Sequence, residues 1–337
     1  MSSIRRAEGF SRYAIALQYH GGRFLGFSFQ GQQEDDILPD GTDLCGWRSV
    51  EGRIRRALDK LVGSENYENI QVSSRTDRGV HAIKNTMHLD VRGRQRSDQQ
   101  WDTKKLLNGI NYFLSRQGLS EPGETYMNDL RILEVKNAPS VMRNAFYDGV
   151  DEHGPPEIDW NARFSATERT YVYRILQGAG PFGLPFEWDR SWKLRDVCEI
   201  NTEAMNQAAK YLVGTQDVSS FRGKGCERAS PVVNMSQVSV TSQPYGCGDD
   251  WNRGGGLLGL GSPERSPRLI LIRVVGNSFV YRQVRNIVGC LVQVGMEKIS
   301  PQSVQGILQA RDRRKAPAMA PAHGLFLVDV KHGEFIL

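Results

Sequence analysis

The sequence predicts an α+β protein of two domains. Residues 13–19 and 269–275 alternate in the manner of strands, whereas residues 54–62 and 106–113 repeat apolar side chains at helical spacing. A chain of 337 residues also exceeds the size that one hydrophobic core usually serves. With 39% hydrophobic and 24% charged residues the composition is that of an ordinary globular protein.

Charge and cysteine usage narrow the classes of function. The net charge of +5 is a mild basic excess that suits an RNA partner without demanding one. Basic residues cluster at Arg53/Arg55/Arg56, Arg92/Arg94/Arg96, Lys104/Lys105, Arg222/Lys224/Arg228 and Arg311/Arg313/Arg314/Lys315, as solvated faces or as parts of one binding face. Cys45, Cys198, Cys226, Cys247 and Cys290 are odd in number and far apart, and no Cys-x-x-Cys pair occurs. That argues against a disulfide scaffold and a structural zinc site, and for a reducing compartment. No apolar run approaches the roughly 18 residues needed to span a bilayer, so no membrane partner is expected. Ser2, Ser3, Arg5, Arg6, Ser11 and Arg12, beside Glu8, give the start a weak likeness to a mitochondrial presequence, with cytoplasm or nucleus as alternatives.

Taken in order, residues 13–19 form a strand stopped by Gly21-Gly22. Residues 31–46 are acidic and without period, an inserted loop. Ser49 caps a helix with Ile54, Ala57, Leu58, Leu61 and Val62 inward and Arg53, Arg55, Arg56 and Lys60 outward. Strands follow at Ile70/Val72 and at 86–91, then a basic linker, a helix over 101–114 and a strand over 130–135. The turn-rich stretch 147–157 divides the chain into domains 1–150 and 151–337. Tyr171 and Tyr173 alternate on the next strand and so share a face. A helix spans 199–213, and the Gly/Ser/Pro-rich stretch 243–267 separates two strands as an extended hairpin loop. Residues 277–289 are helical by spacing, with Val280, Val284, Ile287, Val288 and Leu291 inward and Arg282, Arg285 and Asn286 on a polar flank.

One stretch carries chemistry: Ser73-Ser74-Arg75-Thr76-Asp77-Arg78-Gly79-Val80-His81-Ala82, between two strands. Gly79 permits a turn with positive φ, from which Asp77 can project. Arg75 and Arg78 flank the carboxylate and favour its charged form, suited to a nucleophile or a cation ligand. By spacing alone the stretch also reads as a surface turn in which the aspartate caps the backbone.

The loop resembles the catalytic loop of the TruA-type tRNA pseudouridine synthase family, Gly-Arg-Thr-Asp-Ala-Gly-Val-His, at Arg75, Thr76, Asp77, Gly79, Val80 and His81. It departs at Ser74 and Arg78. Further segments resemble the family's in the same order: residues 19–27, 161–175, 212–222, 279–289 and 320–327. Details such as Ser73-Ser74-Arg75-Thr76-Asp77 look most like the animal subgroup named tRNA pseudouridine synthase-like 1. The resemblance implies two similar α+β halves sharing a mixed, largely antiparallel sheet flanked by helices, with a central RNA-binding cleft. It implies an isomerase that converts uridine to pseudouridine in RNA, tRNA first and mRNA second, without cofactor or metal. Asp77 is then the nucleophile, Tyr171 lies against the target base, Arg285 pairs with the aspartate and Arg75 contacts the RNA. The alternative is a catalytically silent RNA-binding relative.

Overall fold

In the computed structural model, residues 6–28, 48–93, 100–116, 129–140, 142–143, 157–179, 184–194, 199–245 and 267–337 are described. The inserted loop 31–46, most of the hairpin loop and all of the domain break but Glu157 lie outside them, as do the first five residues. The described chain forms a large, mostly antiparallel sheet with five helices, the predicted α+β class. Its contacts gather into two units, Met1–Arg169 with Leu327–Leu337, and Thr170–Phe326.

The first unit is built on β1 (Phe10–Tyr19) and β3 (His81–Arg92), which pair antiparallel. On the other side of β1 lies β4 (Leu130–Asn137); β2 (Tyr67–Val72) and β12 (Leu325–Lys331) both border β3. Cross-strand pairs explain why β3 is buried on both faces. Tyr13 faces Leu89 and Ile15 faces Met87 on the apolar side. On the other side Arg12 faces Asp90, Ala14 faces His88 and Ala16 faces Thr86. The small Ala14 and Ala16 leave room for Trp160, which packs there with Ala162 and Leu337 and against Phe335. Asp90 is wholly buried, and Arg12 grips its carboxylate with two bonds of 2.7 Å while donating a third to the Trp160 carbonyl. Asn69, at a bulge in β2 with φ 51°, adds a bond to the same carboxylate. Thus Arg12, counted above among the basic residues of the first dozen, is part of the core.

Helix α1 (Val50–Leu61) starts where Ser49 accepts a bond from the Gly52 N–H, as the sequence predicts. Its Ile54, Ala57 and Leu58 are buried, but Leu61 and Val62 are only half covered. Arg53, expected outside, is half-buried, and that burial lowers its pKa. Helix α2 (Thr103–Ser115), capped by Asp102, approaches α1 so closely that a Cβ on Gly109 would lie 2.5 Å from Leu61. The two-residue strands β5 (Met142–Arg143) and β6 (Glu157–Ile158) pair apart from this sheet.

In the second unit β7 (Glu168–Gln177) neighbours β11 (Arg268–Gly276), which pairs with β10 (Val232–Pro244) as the expected hairpin. The short β8 (Trp192–Leu194) runs parallel to β7, and β9 (Gly214–Asp217) closes the order beside β10. Buried residues on β10 step from Val233 and Met235 to Val238 and Val240, because the register shifts between Met235 and Gln237. Helix α3 (Thr202–Lys210) is shorter than predicted at both ends, starting after the Asn201 cap. Its Asn206 bonds both polar groups of the Val240 backbone, fastening helix to strand.

The greatest departure from expectation is α4 (Gln283–Gly295), followed by α5 (Pro301–Ala310). Arg282 has φ 62°, so the helix cannot include it or the residues before it. The polar flank is also not solvated. Asn286 is 1% and Arg285 9% exposed, because the segment 316–322 covers that side. A Cβ on Gly289 would meet the Ala318 carbonyl oxygen at 2.1 Å, so glycine alone allows this approach.

Candidate active site

Asp77 and Arg75 share one loop of the first unit, and Tyr171 and Arg285 belong to the second. The loop is held mainly through its backbone. Gly79 has φ 80°, the left-handed turn expected of it, and the Val80 N–H bonds the Asp77 carbonyl. Asp77 forms an antiparallel bridge with Gly26, where φ is 126° and a Cβ would lie 3.0 Å from the Thr76 carbonyl oxygen. Gly21 comes closer still: its Cβ would stand 2.0 Å from the Val80 oxygen, and its N–H bonds Nδ1 of buried His81. Gly21, which follows the first strand, and Gly26 thus seat the aspartate loop. Arg75 and Arg78 project as exposed side chains, and among the described residues neither forms an ion pair. They present two charges to solvent, as phosphate contacts need.

Beneath the loop runs a buried chain of polar side chains whose connection no sequence pattern announces. Asn85 donates to the Ser74 carbonyl at 2.9 Å and to the Tyr19 hydroxyl, which bonds Thr76 at 2.8 Å beside Asp77. Ser73 must donate to Asn85 Oδ1, so Thr86 donates to Ser73. Thr86 Oγ1 in turn lies 2.7 Å from Nε2 of the His332 ring. Nδ1 faces the Ser165 hydroxyl at 2.9 Å. Arg169 closes the frame, reaching the carbonyls of Ser73, Arg163 and Ala166. Polar residues inside a central strand, Asn85, Thr86, His88 and Asp90, were the available signal.

Burial, with the charges of Arg169 and Lys84 adding to it, pulls the His332 pKa down to about 4. An unfolded histidine takes up its proton near pH 6.5. The neutral ring therefore contributes stability that is complete above pH 6.5 and lost as the pH falls toward 4. In His332→Gln, the loss of unfolding free energy over that interval should shrink by up to one proton, about 1.4 kcal/mol per pH unit. Urea melts from pH 4.5 to 7 measure it, and an unchanged slope would contradict the assignment.

In the second unit Tyr171 is buried, its ring edge-on to Phe279 at 5.2 Å. Phe279 directly precedes the turn from Val280 to Gln283, in which Arg282 is left-handed. Tyr173, two residues on, is fully buried, and its hydroxyl donates to the Pro321 carbonyl at 2.8 Å. Burial raises its pKa far above the usual range, against the pull of the nearby Arg285 charge, so it remains a donor. Arg285 donates from Nε to the Ala320 carbonyl, which fixes the guanidinium in a covered position. Asn286 donates to the Phe221 carbonyl and accepts from Arg313, whose other nitrogen holds the Ala316 carbonyl. Several basic residues offered above as a binding face are likewise internal fasteners. Arg222 bonds the carbonyls of Cys226 and Arg228, and Arg228 bonds Ser278. Among the described residues no group of three or more His, Cys, Asp or Glu could hold a metal ion.

Comparison with known proteins agrees with this framework. The sequence profile described as tRNA pseudouridine synthase matches residues 208–332. A protein named tRNA pseudouridine synthase A from Caulobacter vibrioides is 31% identical over 323 residues, 96% of this chain and 99% of that one. Proteins of the same name from Sinorhizobium fredii and Francisella philomiragia are 31% and 30% identical, covering 87% and 88% of this chain and 96% and 92% of theirs. The chain belongs to the TruA-type tRNA pseudouridine synthase family.

Proposed function

We propose that the protein isomerises uridine to pseudouridine in tRNA, with the Asp77 carboxylate as nucleophile. The supporting observation is kinship with tRNA pseudouridine synthases along 96% of the chain, a span that includes the aspartate loop. In the reaction the bond from uridine N1 to C1′ breaks, the uracil turns over, and a bond from C5 to C1′ forms. The proton on C5 passes to solvent and N1 gains one, so nothing is oxidised and no group is lost.

Asp77 begins the exchange. Arg285 is the counter-charge that keeps it ionised once water is excluded. Tyr171 covers the freed uracil, so that the glycosidic bond is remade and not hydrolysed. The target base must leave the RNA stack to be reached, and Arg75 contacts the backbone at that position. The serine before Arg75 and the segment 320–327 support a place in the animal tRNA pseudouridine synthase-like 1 subgroup.

The test is release of tritium from [5-³H]uridine-labelled tRNA pools, cytosolic and organellar. Release with conversion of mapped uridines is expected. Firm tRNA binding without release from any pool would replace this reading with that of a silent RNA-binding relative.

A further inference from the structure

Phe186 and Trp188, at 74% and 69% exposed, are the two most exposed aromatic rings among the described residues. They are not on a loose loop. Glu187 between them is 5% exposed, and its carboxylate is bound by Arg174 of β7. Its carbonyl accepts from the Ser191 hydroxyl and the Arg190 N–H. Anchoring the middle residue inward forces its neighbours outward. The turn is also fastened to the elements that carry the candidate site. Trp192 lies edge-on to Tyr173 at 6.3 Å, and Arg174 stands over the Phe326 ring. His323, within range of the Arg285 charge, bonds the Ser191 backbone and feels Asp189 and Lys193.

A fold that fixes two aromatic rings in water forgoes the stabilisation that covering their apolar surface would bring. Such rings are normally kept for contact. Two rings flanked by Asp189, the exposed Arg190 and Lys193 make a narrow, polar-edged surface, unlike the broad apolar core of a protein interface. Rings beside a guanidinium are what unpaired bases stack upon. We propose that Phe186 and Trp188 form a stacking platform for unpaired bases of the tRNA that flank the isomerised uridine. The proposal rests on the function given above and deepens it. Arg190 supplies a phosphate contact beside the platform.

Full-length wild type, Phe186→Ala, Trp188→Ala, the double variant and Trp188→Phe are compared by tRNA binding and by tritium release. Each lost ring should weaken binding, and raise KM, roughly five- to hundredfold. At saturating tRNA kcat should stay within about twofold of wild type, since the rings touch no reacting atom. The dependence of log Kd on log salt should keep its slope, because no phosphate contact is removed. Trp188→Phe, which keeps a ring, should bind nearly as wild type. Unchanged tRNA binding by the double variant overturns the platform, and so does an effect confined to self-association or to binding another protein. Normal release with ring-independent binding sinks the platform alone. Ring-dependent binding without any release by wild type sinks the proposed reaction and leaves the platform standing.

Discussion

Asp77→Asn is expected to reduce turnover by roughly 10⁴-fold or more, the scale seen when a reaction loses its nucleophile. The amide has the size of the carboxylate and can accept hydrogen bonds, but it carries no charge and is a far poorer nucleophile. Removing one negative charge does nothing to repel phosphates, so tRNA affinity should hold within about threefold. The fold should hold as well. The loop is seated by the Gly26 bridge, the Gly21–Val80 approach and the Thr76–Tyr19 bond, none of which uses the Asp77 side chain. Single-turnover tritium release beside a filter-binding curve separates the two effects. A variant that still turns over at more than a few per cent of wild type would remove Asp77 from the mechanism.

The largest loss of stability is expected from Arg12→Ala. Arg12 and Asp90 are a bidentate pair with side chains 2% and 0% exposed, and removing the cation leaves a buried carboxylate with, among the described side chains, only Asn69 to bond it. Breaking such a pair typically costs about 3–5 kcal/mol. For a unit of this size that is a fall in Tm on the order of 10 °C. The paired change Arg12→Met with Asp90→Leu should be milder than Arg12→Ala, because no charge is stranded in it. Thermal melts of both variants decide the point. A single variant that melts with wild type would mean that the pair is worth no more than a surface one.

Much of the fold was legible because short patterns report local structure faithfully. Alternation found β1 and β11, Ser49 announced α1, and Gly79 announced a turn with positive φ. What patterns miss is what lands on top of them. The spacing of α4 assigns Arg285 and Asn286 to a polar flank, and only the covering segment 316–322 turns that flank into interior. Arg282 fits helical spacing, yet its left-handed backbone starts the helix afterward. In the candidate site Asp77 stood out by its neighbours in sequence. Most of its supports did not, since Arg169 and His332 are distant in the chain and meet Ser73 and Thr86 only on folding. The arginines beside Asp77 were the opposite case. Adjacent in sequence, they look like its clamp, but their side chains face solvent.

The first unit takes Leu327–Leu337, with most of β12, from residues that follow the whole of Thr170–Phe326. During synthesis, Ala14, Ala16 and Trp160 wait for Phe335 and Leu337, while Thr86 and Ser165 wait for His332. At the usual 5–20 residues per second that wait lasts on the order of ten to thirty seconds. For that time the nascent chain carries an uncovered apolar face and an unfinished polar one beneath the aspartate loop. The second unit has all of its own residues before the first is complete. Emerging from the ribosome, the chain therefore has the residues of its middle complete before those of its amino-terminal unit.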